Sequence, residues 1–209
     1  MRWYCVSMDA KIDRGILFNE EEHLYSYNGK TLPGVTAIVG RRVGKTFSDS
    51  AKKLPVVHCA TERGSRIHQL AEDYFRFGYP VTASKDAAFI VDTIDSLYPS
   101  DRYIRIPEML VSDKENVATA IDLVVLRPTG DAVIFDYKTG NFDREYCSWQ
   151  LGFGKYLFEL EGDVKVAEAY VISTKEMYVY QIRPKSEQLI KARIRAFADQ
   201  LKGVEYGKE

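Results

Sequence analysis

The chain has 209 residues, 45% hydrophobic and 28% charged, a globular composition that excludes wholesale disorder. Its 29 basic residues are matched by 30 acidic ones, leaving a formal charge of −1. That excludes a generally basic nucleic-acid coat but not a local basic groove.

No apolar run approaches the ~20 residues that span a bilayer. Residues 1–11 carry Arg2, Asp9 and Lys11 and no signal-peptide core, so a cytoplasmic protein with no membrane partner is expected. Cys5, Cys59 and Cys147 are too few and too scattered for a four-Cys zinc or iron–sulfur site. Reduced thiols and no iron–sulfur cluster are expected.

In chain order, residues 15–39 read as short strands. Ile16, Leu17 and Phe18 form one, residues 24–27 form a second that enters the turn Asn28-Gly29, and the β-branched stretch 34–39 is expected to be a third. From Thr61 the period changes: Ile67, Leu70, Ala71, Tyr74 and Phe75 recur at helical spacing until Gly78-Tyr79-Pro80. A second helix covers 85–97. Three strands follow at 103–111, 117–126 and 132–137, then a helix at 144–160, strands at 164–173 and 177–182, and a last helix at 185–201. The order predicts an α/β (α+β) fold with a mixed central sheet flanked by helices and an N-terminal β-arm. We expect one domain, with arm and basic loop in 1–60, core in 61–182 and a C-terminal helix in 183–209.

The most informative stretch is the hairpin 120–138. Two apolar strands are joined by Pro128-Thr129-Gly130, a three-residue loop with Gly in the left-handed position. With Thr129 at the apex, paired residue numbers sum to 258, and Asp122 stands opposite Asp136. Cross-strand neighbours have Cβ atoms about 5 Å apart, and Lys138 shares the face of Asp136 by strand alternation. Two carboxylates and an ammonium thus converge at one end of an apolar hairpin. Like charges this close repel, and apolar flanks deny them solvation. A divalent cation between the carboxylates removes the conflict, and Lys138 is then able to orient a water or neutralise charge on a phosphate. The alternative is an Asp–Lys–Asp salt-bridge cluster at a sheet rim.

Other residues extend this set. Glu62-Arg63-Gly64-Ser65-Arg66-Ile67-His68 is expected to open the first helix, with its N-terminus suited to an anion. His68 and Glu72 share a helix face. Glu108 reads as a third carboxylate or as an exposed strand residue, and Gln150 as a site support or a surface amide. Gly152 and Gly154 within a helix point to close packing or to substrate near the backbone. Residues 41–66 hold Arg41, Arg42, Lys45, Lys52, Lys53, Arg63 and Arg66 against Asp49 and Glu62, a local charge of +5 able to track phosphates. Within it, Gly40-Arg41-Arg42-Val43-Gly44-Lys45-Thr46 looks like a nucleotide-binding loop but has three residues between its glycines where the motif needs four. It reads as a basic loop.

Taken together, Gly64-Ser65-Arg66-Ile67-His68, Asp122, Asp136-Tyr137-Lys138 and Gln150 resemble the PD-(D/E)XK nuclease superfamily, closest to its RecB-like and phage-exonuclease branch. The resemblance covers roughly residues 61–173. It implies a restriction-endonuclease-like αβββαβ core, Mg²⁺ or Mn²⁺ dependence and hydrolysis of phosphodiester bonds in DNA. By that resemblance His68, Asp122, Asp136 and the Tyr137 carbonyl bind metal, and Asp122, Asp136 and Lys138 are catalytic. It also implies that Gln150 supports the site or contacts DNA; from the residues themselves, Glu72 and Glu108 are expected as candidate site supports, and Arg41, Arg42, Lys45, Arg63 and Arg66 as DNA contacts through the local basic charge. The helix departs from the family's Gln-x-x-x-Tyr pattern, with Gly154 where Tyr is usual. The implied function is an exonuclease of phage or prophage recombination or repair. Its expected partners are DNA and either further copies of itself or a recombination or helicase protein. The rival readings are a catalytically weak DNA-binding member of the same fold and an ATP-binding protein using residues 40–46. As a neutral-ring ligand, His68 is expected to limit activity as pH drops through its pKa, near 6.5 if unperturbed.

Overall fold

The computed structural model describes residues 15–19, 24–43 and 55–205. Three short antiparallel strands come first: β1 (Ile16–Asn19), β2 (Leu24–Tyr27) and β3 (Lys30–Leu32). Helix α1 (Val35–Val43) follows, then α2 (Pro55–Phe77) and α3 (Lys85–Leu97). Next come β4 (Ile104–Ser112), β5 (Ala118–Leu126), β6 (Ala132–Lys138), α4 (Arg144–Leu160), β7 (Val166–Ser173), β8 (Tyr178–Gln181) and α5 (Glu187–Glu205). Strands β4 to β8 form one mixed sheet in chain order. Only β6 and β7 run parallel, because α4 carries the chain back across the sheet as a crossover.

The sheet is covered on both faces, and alternation along each strand decides which side chains go where. Ile134 and Val171 join α1, α4 and α5 through Ile38, Phe153, Leu157 and Ile190. Val133, Phe135 and Tyr137 join α2 and α3 through Ile67, Ala71, Ile90 and Ile94. Phe135 is 1% exposed and lies between the Tyr98 and Tyr170 rings, 5.7 and 5.6 Å from its own. The β-arm buries Ile16, Tyr25 and Leu32 against Leu110 and Ala118, and the Ala118 N–H donates to the Pro33 carbonyl at 3.1 Å.

Three expectations are corrected. Residues 34–39 are not a strand: Val35, Ile38 and Val39 are all buried, at the i, i+3, i+4 spacing of a helix face, and that packing overrides their β-branched preference. The basic loop expected at 40–46 is corrected where it is described, residues 44–46 lying outside the described residues. Its first part, Gly40 to Val43, is the end of α1, whereas a phosphate cradle needs a helix beginning there. The third correction concerns α2, which starts at Pro55 and not near Thr61, since proline suits the first helical turn. Arg63, Gly64 and Arg66 therefore sit mid-helix, and the anion-binding N-terminus expected at them is not theirs.

Gly152 and Gly154 are explained by packing. A Cβ on Gly152 would lie 2.9 Å from the Lys185 backbone nitrogen, and one on Gly154 would lie 3.3 Å from the Ile121 side chain. Backbone cannot yield as a side-chain tip does. Gly152→Ala should therefore destabilise by roughly 1–3 kcal/mol of overpacking, outweighing the ~1 kcal/mol helix gain. A lower urea midpoint with unchanged slope is the expected reading, and a higher midpoint would refute the clash.

Candidate metal centre

The β5–β6 hairpin has the register read from its loop. Leu123↔Phe135, Val124↔Ile134, Val125↔Val133 and Leu126↔Ala132 all fit Thr129 as apex, and Gly130 has φ +87°. Pairing stops one step before Asp122 and Asp136. Freed from the ladder, the Asp122 carboxylate turns into the gap between the strands, where Oδ2 accepts the Tyr137 N–H at 2.5 Å. In an extended strand the N–H and C=O of one residue point the same way, so the Tyr137 carbonyl also faces the Asp122 side.

Asp122 meets both layers of the protein there. From the α2 side, His68 Nδ1 lies 3.5 Å from Asp122 Oδ1, and its ring packs edge-on to Tyr137 at 5.5 Å. Gly64, one turn earlier, lets the helix come close: a Cβ there would meet Thr139 Oγ1 at 3.2 Å. On the α4 side, Asp136 and Lys138 stand together. Lys138 Nζ is 2.9 and 2.8 Å from the two Asp136 oxygens and donates to Gln150 Oε1 at 2.9 Å. Asp143 fixes the start of α4 by accepting the N–H groups of Glu145 and Tyr146, a cap worth about 1 kcal/mol, and this sets Gln150 over Lys138. A cavity of ≈ 30 Å³ lies between Asp122, Asp136 and Gln150, room for about one water or a small cation.

Glu108 completes the row. The β4–β5 ladder runs Pro107↔Leu123 and Met109↔Ile121 in one unbroken register, which sets Glu108 at the level of Asp122. Glu108 itself drops out of the ladder with φ +46°, a backbone strain that a non-glycine residue holds only where its surroundings enforce it. The result is useful chemically: one ligand atom each of His68, Glu108 and Asp122 lies within 4.8 Å of the others. Ligands adjacent around an octahedral ion at about 2.1 Å are roughly 3 Å apart, so small side-chain shifts close this group onto one cation.

Charge and burial set the protonation states. Burial alone opposes a charged His68, but the charge and hydrogen bond of Asp122, helped by Glu108 and Asp136, push its pKa up to about 9. Asp122 is held below the usual carboxylate range: burial raises it, and His68, Lys138 and the Tyr137 N–H outweigh burial. Asp136 goes the other way, because burial and the neighbouring Asp122 charge outweigh Lys138. The Lys138 pKa is raised; burial opposes its charge, but Asp136 and Asp122 hold it.

Without a bound ion, the His68 pKa moves up from its ordinary value near 6.5. A folded pKa of about 9 exceeds the unfolded ~6.5. The pair with Asp122 therefore stabilises the ion-free protein fully below about pH 6.5, and that stability is lost as pH rises through 9. In EDTA, melting temperature should fall across this window in the wild type and stay flatter in His68→Gln. Parallel pH profiles would show that the pair contributes nothing.

The remaining expected site residues are more scattered. The Glu72 carboxylate lies 2.7 Å from Arg76 Nε, a pairing favoured by i,i+4 spacing. Arg76 in turn donates to the Pro107 carbonyl at 3.1 Å and so steadies the strand just before Glu108. Sequence reading missed Arg76, although its spacing from Glu72 was the signal. Arg63 pairs with Asp86 at 2.7 Å and Arg66 is exposed. Arg41 and Arg42 lie at the end of α1 with their side chains outside the described residues, as is the whole of Lys45. Gln150 lines the small cavity with Asp122 and Asp136. Cys147 is buried and Cys59 exposed.

No protein-family model matches the chain, and no curated protein does. Among solved structures it is similar to a crystal structure of SSO0001, at 15% identity over 82% of this chain and 75% of that one, with a TM-score of 0.44. A likeness this slight bears on neither the fold nor the site. From the strands and helices themselves, the chain is a mixed α+β protein with a five-stranded and a three-stranded sheet, and no helix among the described residues is long and apolar enough to cross a membrane.

Proposed function

We propose that this chain is a metal-dependent DNA nuclease of the PD-(D/E)XK kind, trimming DNA ends in recombination or repair. The observation that carries the reading is the place of Asp122, with His68 and Glu108 on one side and Asp136, Lys138 and Gln150 on the other. The donor set fits Mg²⁺ or Mn²⁺: carboxylate oxygens with one imidazole. Asp136 Oδ2 also fits, being buried with no hydrogen bond of good geometry beyond its charge contact with Lys138.

A divalent ion bound here would activate water and offset charge on a phosphate. His68, Glu108, Asp122 and Asp136 would hold it, with the Tyr137 carbonyl. Lys138 would keep the attacking water in line through Nζ, and Gln150 would keep Lys138 in place. The test is a digestion of linear and covalently closed circular DNA with Mg²⁺, Mn²⁺ or EDTA. Linear DNA should disappear from its ends in either metal and survive in EDTA. A folded protein that cleaves nothing in either metal would overturn the reading; a cut circle would make the activity endonucleolytic.

A further inference from the structure

Tyr178 and Tyr180 belong to β8, the last strand of the sheet. Their rings are 4.7 Å apart. The Arg144 guanidinium sits 4.8 Å from the Tyr180 ring centre, and Phe142 backs that ring at 5.4 Å. Tyr178 is 59% exposed and Met177 beside it 51%. An edge strand is ordinarily protected by charge or kept short; this one is short but carries a cluster of mutually tilted aromatic rings. An open groove of ≈ 410 Å³ runs between Arg144 and Tyr178 to Gln181.

The position of this patch gives it meaning. Lys138 pairs with Ser173, and Ser173 with Tyr178; Asp136 pairs with Val171, and Val171 with Tyr180. Directly opposed residues share a sheet face, so both tyrosines lie on the face of Asp136 and Lys138. Two strand spacings separate them from that pair, about 10 Å. At 3.4 Å per stacked base, this is about three nucleotides along a strand. The connection is also tight: the Thr174 N–H donates to the Lys138 carbonyl at 2.9 Å, and Lys175 donates to Asn141. Arg144 and Lys175 give the edge two cations, against the Glu176 carboxylate that the Tyr180 hydroxyl engages.

We propose that Tyr178, Tyr180 and Arg144 form a stacking platform for unpaired bases of the DNA strand that runs through the Asp136–Lys138 site. This rests on the nuclease reading above. Rings and a guanidinium stack on any base without reading its sequence, so the platform holds a frayed or single-stranded segment and leaves the phosphates to the cations. A sequence-specific or purely duplex substrate would have no use for it.

The test is anisotropy of a short labelled thymidine oligonucleotide in EDTA, where no cleavage intervenes. The Tyr178→Ala/Tyr180→Ala double variant should bind on the order of tenfold or more weakly, and Tyr178→Phe/Tyr180→Phe should bind like the wild type, because the rings remain. The wild type should bind an abasic oligomer of the same length as weakly as the alanine variant binds thymidine. Equal binding of thymidine and abasic oligomers by the wild type would overturn the platform, even if the alanine variant failed to fold. Equal loss in the phenylalanine variant would overturn it as well. Failure of the nuclease reading is read separately, as absence of cleavage by a wild type that still distinguishes the two oligomers.

Discussion

Asp122→Asn should abolish divalent-ion binding and cleavage together, with activity down roughly a thousandfold or more, the scale of losing several kcal/mol of metal-assisted stabilisation. Among the three carboxylates in the row, Asp122 alone reaches both sides of the site: its Oδ1 faces His68, its Oδ2 takes the Tyr137 N–H, and it lines the cavity with Asp136. The amide keeps the side-chain volume and an oxygen for Tyr137, so the fold should persist. What it removes is the charge that His68 and a cation share. Calorimetry with Mn²⁺ should give no measurable heat for the variant. Asp136→Asn should weaken binding less, because Lys138 already offsets the Asp136 charge. Wild-type Mn²⁺ affinity in Asp122→Asn would remove Asp122 from the centre of the site.

Much of this arrangement is legible in the sequence because short-range rules fix it. Pro128-Thr129-Gly130 sets the loop, the loop sets the register, and the register sets Asp122 against Asp136 before any tertiary contact is known. The helices at 85–97 and 144–160 are bounded by caps and prolines that act within a turn. Residues 34–39 were misread because β-branched composition is a weak signal, and burial of Val35, Ile38 and Val39 decides the outcome from outside the segment. Glu108 was left open for a related reason. Its usefulness depends on a left-handed backbone in the middle of a strand, and nothing in Ile106-Pro107-Glu108-Met109 specifies that. The Arg76 contact with Pro107 comes from a helix 31 residues earlier, and such a contact is visible only once the chain is folded. The tyrosines of β8 read as ordinary strand residues until the parallel β6–β7 pairing aligns them with Lys138.

Replacing Lys138 by methionine should separate the two jobs of the site. The ammonium is inside the protein, between both Asp136 oxygens and Gln150 Oε1. It cannot ligate a cation, so Lys138→Met should leave ion binding intact. It leaves Asp136 as a buried carboxylate with no adjacent cation, a strongly unfavourable state. The ion-free variant should therefore melt below the wild type. Added Mn²⁺ supplies the missing positive charge and binds only the folded protein, so it should raise the melting temperature more in the variant than in the wild type. Cleavage should nonetheless fall by roughly 10²–10⁴, the range for loss of a positioned proton-handling or charge-stabilising group. Three readings on one variant then decide the role: melting without ion, the shift on adding Mn²⁺, and the cleavage rate with the ion bound. A folded Lys138→Met protein that no longer binds Mn²⁺ would mean that Lys138 shapes the ion site itself, and one that cuts DNA at the wild-type rate would take it out of the chemistry altogether.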